Sequence, residues 1–291
     1  MQLSVQAPAK INLFLHVTGK REDGYHELFT FFQMVGVYDE VAVAKTAGDI
    51  RLHCDLPGVP ETENIVYRAA KLLREACNVG DGAVITLRKS IPMAAGLGGG
   101  SSDAAAAMVA LNRLWGLGLD RDELAALGIR LGSDVPFFFG GPAALGKGRG
   151  EILEPFPPLE GWVLLVNPGF AVSTAWVYGN IKKLTSLPDN TKLPSFLKKG
   201  LTAGNLCIEE VRGYLHNSLE EVTELNYPEV KEIKNRLLDN GASAALMSGS
   251  GPTVFGLFHL EEDARKAAAA LQRNDRRIFV APALTRSPLT L

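Results

Sequence analysis

The chain has 291 residues, 46% hydrophobic and 21% charged, which suits about two globular domains of ~150 residues each and excludes the disordered class. Its 30 Lys and Arg against 32 Asp and Glu leave a formal net charge of -2, which argues against a broad electrostatic grip on nucleic acid or an anionic membrane. Three scattered cysteines (Cys54, Cys77, Cys207) and five histidines without metal-ligand spacing argue against a disulfide framework and a zinc site.

Along the chain, Leu3 to Ala7 alternates as a strand does, and Ala9 to Val17 continues it with apolar residues. Phe29 to Val37 and Glu40 to Ala44 read as two further strands around a turn at Tyr38-Asp39. Asn64 to Cys77 carries apolar residues at helical spacing, and Val84 to Leu87 is a short strand. The glycine-rich segment Gly96 to Gly100 leads into an alanine-rich helix through Leu114, and Asp122 to Leu131 is a second helix. Gly140 to Gly150 reads as a surface hairpin, and Pro155 to Pro158 as a domain junction. Beyond it lie a strand at Trp162 to Val166 and an exposed Pro, Lys and Asn-rich loop at Ser186 to Lys199. Then come an amphipathic helix at Asn226 to Asn240, stopped by Gly241, a strand at Thr253 to Phe258 and a last helix at Glu261 to Arg273. This is an α+β pattern in two lobes. No apolar run approaches the ~18 residues of a membrane span, and with the sparse cysteines this predicts a cytoplasmic protein.

The loudest chemical signal is Pro92-Met93-Ala94-Ala95-Gly96-Leu97-Gly98-Gly99-Gly100-Ser101-Ser102. Glycines let backbone amides converge on phosphate oxygens, and the following helix start offers open N–H groups and a positive dipole end. The segment is neither a Walker A loop nor G-x-G-x-x-G. Gly249-Ser250-Gly251 is a smaller loop of the same kind, read alone as a strand-entry turn. Two charges stand in apolar settings: Lys10 before Ile11-Asn12-Leu13, and Asp134 before Val135-Pro136-Phe137. Each is either paired for function or, more blandly, a snorkelling lysine and a turn-capping aspartate. Tyr25 and Tyr178 sit among polar groups; if they face one another, they can hold a flat ligand by stacking.

Together these residues resemble the GHMP kinase family, and within it the kinases that act on 4-diphosphocytidyl-2-C-methyl-D-erythritol. The resemblance rests on Ala7-Pro8-Ala9-Lys10-Ile11-Asn12-Leu13, Asp23-Gly24-Tyr25-His26-Glu27, Pro92 to Ser102, Gly132-Ser133-Asp134-Val135-Pro136 and Met247 to Thr253. It implies a two-lobed GHMP kinase fold, with a mixed sheet in an ATP-binding domain over 1–155. The C-terminal domain over 156–291 would be α/β sandwich-like, with the active site in the cleft. It also implies ATP, Mg²⁺ and phosphorylation of the substrate's 2-hydroxyl in the non-mevalonate isoprenoid pathway. Asp134 would be the base, Lys10 its charged partner, and Asn12 would orient the substrate. Tyr25 and Tyr178 would stack on cytosine, His26 would read its edge, and Lys89 would lie near the adenine. Ser218 stands where the family commonly has Asp after the Asn. No Mg²⁺ ligand or oligomeric state is named by these motifs.

Rival readings are another GHMP kinase (for homoserine, mevalonate or a sugar), a non-catalytic ligand sensor on the same fold, and a nucleic-acid module. The Tyr25-His26 motif with Tyr178, the joint presence of Lys10 and Asp134, and the charge of -2 weigh against them in that order.

Overall fold

The computed structural model describes residues 2–55, 59–181 and 204–289; the expected loop at 186–199 lies outside them. The chain opens with two long antiparallel strands, β1 (Gln2–Lys20) and β2 (His26–Thr46). Their turn is closed by the Arg21 amide on the Tyr25 carbonyl at 2.8 Å and by the Asp23 carboxylate accepting from the Tyr25 amide at 3.1 Å. Gly24 takes the left-handed φ of 83° that this turn requires.

The expected turn at Tyr38-Asp39 does not exist, because β2 runs straight through it. The register shifts between Pro8 and Ala9 instead, so the polar pair marks a bulge within one strand. Asp39 is buried there and finds its partners outside the strand.

β3 (Arg51–Cys54) and β4 (Gly82–Arg88) extend the sheet beside β2. α1 (Ile65–Ala76) begins where the Asn64 side chain accepts from the Val66 amide, as its apolar spacing predicts. α2 (Gly99–Trp115) is buried from Ser102 to Asn112, and its run of alanines lets the helix lie close against the sheet. α3 (Arg121–Gly128) starts at a capping box on Asp120.

The glycine-dense segment does form a hairpin, but its first strand is buried within the sheet rather than at the surface. Residues Ala143–Gly148 form β5, pairing with β2 and with β6 (Ile152–Pro155). Glycine is needed at 146, where a methyl group would stand 2.8 Å from the Phe32 ring. The resulting seven-stranded sheet is mixed, since β3 runs parallel to β4 and a short late strand runs parallel to β1.

The second sheet is antiparallel, in the order β11-β7-β10-β9. Its strands are β7 (Trp162–Asn167), β9 (Ala244–Met247), β10 (Val254–Phe258) and β11 (Arg277–Pro282). Between β7 and β9 come α4 (Thr174–Gly179), α5 (Ile208–Val211), β8 (His216–Asn217), α6 (Glu220–Asn226) and α7 (Pro228–Asp239). The helix expected over Asn226 to Asn240 is α7, and a separate helix, α6, precedes it and ends where Tyr227 and Pro228 restart the chain. α7 and α8 (Glu261–Leu271) bury Ile233, Leu237, Ala267 and Leu271 against Leu164 and Val254 of this sheet.

A further hydrophobic cluster joins Ile11, Leu13 and Phe31 of the first sheet to Leu165, Phe255 and Leu257 of the second. Burying such side chains contributes about 1.5–3 kcal/mol each. That shared core fixes the two lobes against each other and holds open a cleft of about 1320 Å³ along their seam. Among the described residues no helix is long and apolar enough to cross a membrane.

Candidate active site

Lys10 and Asn12 are two apart on β1 and so project from the same face. The Lys10 ammonium, only 4% exposed as a residue, donates to Asn12 Oδ1 at 2.8 Å and to the Gly96 carbonyl at 3.2 Å. It stands 3.6 Å from Asp134 Oδ2. Asn12 in turn donates through Nδ2 to Thr30 Oγ1 at 2.8 Å, and Thr30 donates to the Phe14 carbonyl at 2.7 Å. This chain of donors fixes which way the Asn12 amide points, and with it where the ammonium sits. Burial pulls the Lys10 pKa down, while the Asp134 carboxylate opposes the fall. Asp134 follows the turn after α3 and stays about a third exposed, at 32%, open to the cleft.

The phosphate-type loop lies directly beside this pair. Gly98 (φ 67°) caps α2 without a side chain, leaving the helix N-terminus free to meet an anion. A methyl group on Gly98 would stand 2.8 Å from Lys10 Cγ, so only glycine lets the loop and the lysine coexist. Ala94 also takes a left-handed φ of 46°, which is uncommon outside glycine and is found where a site holds its backbone in a fixed form. Residue 89 and residues 92–101 all line the cleft. Ser102, expected with them, is fully buried off that wall, and its hydroxyl has no hydrogen-bond partner.

Lys89 is held in a buried ion cluster. Its ammonium pairs with Asp39 and, at 2.6 Å, with Asp103. Asp39 also accepts from the amides of Ser90 and Ile91 at 2.5 and 2.8 Å, so β2, the entry to the loop and α2 are tied at one point. Burial and the neighbouring Asp39 push the Asp103 carboxyl up, against the pull of Lys89. Burial depresses the Lys89 ammonium, yet Asp103 and Asp39 together outweigh it and raise its pKa.

At the other end of the cleft the β1–β2 turn brings Tyr25 and His26, and α4 brings Tyr178. The rings do not pair as tyrosine on tyrosine. His26 and Tyr178 stack at 5.3 Å and 29°, while the Tyr25 ring carries the Arg149 guanidinium 4.9 Å from its centroid. Tyr25 is 57% exposed, so much of its surface is open. The Tyr178 hydroxyl is raised in pKa by burial and then by the charge of Asp134. Burial and nearby Lys20 lower the His26 pKa, which keeps its imidazole neutral near pH 7.

The second glycine loop closes the site from the other lobe. Asn217 donates from Nδ2 to the Met247 and Gly249 carbonyls, each at 2.8 Å. Glu220 Oε1 accepts from the Met247 amide at 2.9 Å. Ser218 serves the sheet: its hydroxyl accepts from the Val17 amide at 3.0 Å where β8 joins β1.

Sequence reasoning missed Asp39, Asp103 and Thr30. Asp103 carried a signal, a carboxylate beside a run of alanines in a helix expected to be buried; Asp39 and Thr30 carried none. The site as built fits a nucleotide triphosphate, with an uncapped helix end beside Gly96 and Gly98, where a Cβ would collide with Ser248 and Lys10 and so bar the close approach of loop and lysine.

Comparison with known proteins agrees with this geometry. Residues 64–141 match the GHMP kinases N terminal domain, and residues 202–276 match the GHMP kinases C terminal domain. The 4-diphosphocytidyl-2-C-methyl-D-erythritol kinase of Pelobacter propionicus is 46% identical over 272 residues, covering 92% of this chain and 94% of that protein. The protein of that name from Syntrophotalea carbinolica is 48% identical over 273 residues, with 92% and 94% covered. A crystal structure of 4-(cytidine 5'-diphospho)-2C-methyl-D-erythritol kinase superimposes with a TM-score of 0.78 at 37% identity, covering 96% of this chain and 98% of its own. Homoserine kinase from Cytophaga hutchinsonii shares the fold, with a TM-score of 0.77 at 19% identity over 98% and 96% of the two chains. The chain belongs to the GHMP kinase family, among its 4-diphosphocytidyl-2-C-methyl-D-erythritol kinases.

Proposed function

We propose that the chain transfers the γ-phosphoryl group of ATP to the 2-hydroxyl of 4-diphosphocytidyl-2-C-methyl-D-erythritol, at the meeting point of Lys10 and Asp134. The observation that carries this reading is the 3.6 Å approach of Lys10 Nζ to Asp134 Oδ2, with the glycine loop on one side and the Tyr25, His26 and Tyr178 rings on the other.

The accepting hydroxyl is a tertiary alcohol, weakly acidic and crowded, so it needs a carboxylate to take its proton as the new bond forms. Asp134 is that base. Lys10, held by Asn12 and the Gly96 carbonyl, stabilises the developing alkoxide. Phosphoryl transfer otherwise asks for positioning and neutralised charge, and residues 96–101 supply backbone for the phosphates. Ser102, fully buried, supports this loop from behind. The Lys89 ammonium is committed to Asp39 and Asp103 and holds the loop's entry, a positioning role beside any contact with adenine. Mg²⁺ held with the nucleotide beside residues 96–101 would neutralise phosphate charge. Tyr25 and the stacked His26–Tyr178 pair form the cytosine site, with His26 reading the base edge. The lobes divide at 155/156, between β6 and β7.

An ADP-release assay across four acceptors tests the reading: the cytidine-diphosphate compound, homoserine, mevalonate and galactose. ADP release with the cytidine-diphosphate compound alone is expected. Preference for any other acceptor overturns it.

A further inference from the structure

We infer that Thr30 is a positioning residue for the phosphoryl transfer: its hydroxyl sets the direction of the Asn12 amide and so holds the Lys10 ammonium beside Asp134. The inference rests on the roles proposed for Lys10 and Asp134. The ammonium lies 3.6 Å from Asp134 Oδ2, beyond hydrogen-bond range, but donates to Asn12 Oδ1 at 2.8 Å. Asn12 is the closer hold, and an amide can hold an ammonium only with its oxygen forward.

An asparagine has nearly the same shape either way round, so its neighbours must choose. Here the choice is forced from the far end. The Phe14 carbonyl can only accept, so Thr30 spends its one hydroxyl hydrogen there, at 2.7 Å. What Thr30 then turns towards Asn12 is a lone pair, which takes Nδ2 at 2.8 Å and rejects Oδ1. Oδ1 is left for Lys10. With the amide reversed, two acceptors would meet at Thr30 and two donors at Lys10. All three residues are buried, so those polar groups would stand unpaired away from water.

The strands are built to allow this. The register shifts between Asn12 and Phe14, leaving Leu13 as the extra residue of a bulge, so that Leu15 rather than Phe14 stands opposite Thr30. A bulge re-aims the groups beside it, and here it brings the Phe14 carbonyl onto the Thr30 hydroxyl. Two residues along β2, Phe32 stands opposite Asn12, with the Lys10 ammonium 5.4 Å from its ring centroid. Thr30 and Phe32 share one face of β2 and form a floor under Lys10. Thr30 is fully buried with its hydrogen spent, so it acts on Lys10 through Asn12.

Steady-state kinetics of Thr30→Val, which keeps the shape and removes the hydroxyl, test this with ATP and the cytidine-diphosphate acceptor. Its kcat should fall roughly 10- to 100-fold, with KM for both substrates within about threefold. Thr30→Ala removes the same hydroxyl, should lose as much, and serves where the valine variant does not fold. Thr30→Ser should recover most of the rate, since the hydroxyl returns. On an Asn12→Ala background, Thr30→Val should cost less than about twofold more, because no amide is left to direct. Full kcat in Thr30→Val and Thr30→Ala overturns the inference, as does a loss confined to Tm or to KM. Losses that multiply on the Asn12→Ala background also overturn it, since Thr30 then acts by another route. Lys10→Met separates this inference from the one beneath it. A slow Lys10→Met beside a fast Thr30→Val removes the positioning role alone, whereas fast turnover by Lys10→Met removes both.

Discussion

The Ser248 hydroxyl donates to the Gly96 carbonyl at 2.9 Å, across 152 residues of chain. The two glycine loops, one from each lobe, therefore meet backbone to backbone. A methyl group on Gly96 would stand only 2.0 Å from the Ser248 carbonyl oxygen, at a φ of 76° that L-residues rarely adopt. Gly96→Ala should cost about 2–3 kcal/mol of stability and most of the activity, because the loops must part to admit the side chain. Gly100→Ala, whose new methyl meets nothing nearer than 3.7 Å, should be well tolerated. Thermal unfolding of both variants checks this; equal Tm values would count against the interlock.

Gly99→Val should weaken ATP binding at least tenfold (about 1.4 kcal/mol) and leave cytidine diphosphate binding nearly intact. Already its Cβ would press on Ile91 Cγ2 at 3.0 Å and on Lys89 Nζ at 3.2 Å, so the first turn of α2 must move. Separate titrations of the two nucleotides decide this. Loss of cytidine diphosphate with ATP intact would reverse the two sites.

Tyr25→Ala and Tyr178→Ala should each raise the dissociation constant for cytidine diphosphate by about 5- to 150-fold, the range for one base–aromatic stack. Tyr→Phe should be nearly silent at both positions. His26→Ala should weaken cytidine compounds more than uridine ones, since discrimination comes from polar groups left unpaired. It also removes the stacking partner of Tyr178, so a general loss across both bases should accompany the selective one. Titration with the two nucleoside diphosphates measures both effects, and undiminished binding by both alanine variants would reduce the tyrosines to packing.

Much of this site was legible because its residues announce themselves locally. Lys10 in an apolar strand, four glycines at a helix start and a tyrosine in an Asp-Gly turn each break a pattern that composition would otherwise fill. Asp39 was misread because its partners, the amides of Ser90 and Ile91, lie 51 and 52 residues away; nearby in sequence it shows only a turn-former beside a tyrosine. The β5–β6 hairpin was legible, but not its burial: Gly146 looks like a surface turn residue, yet it is there because Phe32 and Thr30 fill the space that a side chain would need. The pairing of rings, His26 with Tyr178 and Arg149 with Tyr25, depends on how the lobes close, and no local spacing encodes that.

His16 makes the fold sensitive to acid. It is buried against His216, with rings 4.5 Å apart and stacked, and burial followed by the His216 charge lowers its pKa to about 4. The unfolded chain titrates near ~6.5. Between these values the unfolded state holds a proton that the folded state does not, so this contribution is present above ~6.5 and is lost as pH falls towards 4, at up to about 1.4 kcal/mol per pH unit. His16→Phe should flatten that slope. Urea unfolding at several pH values across this window measures it, and a slope unchanged by the substitution would exclude His16 as its source.

The account turns on Asp134 as the base and Lys10 as its partner, and product analysis of the Asp134→Asn variant tests it most directly. Wild type with ATP and 4-diphosphocytidyl-2-C-methyl-D-erythritol should give a new phosphomonoester on the 2-hydroxyl, visible by phosphorus NMR. Asp134→Asn should bind both ligands normally yet form that product ~10²–10⁴ times more slowly. Lys10→Met should also be slow, and the double variant little slower than either, since both side chains act on one proton transfer. Turnover of Asp134→Asn near the wild-type rate, with the same product, would contradict the mechanism.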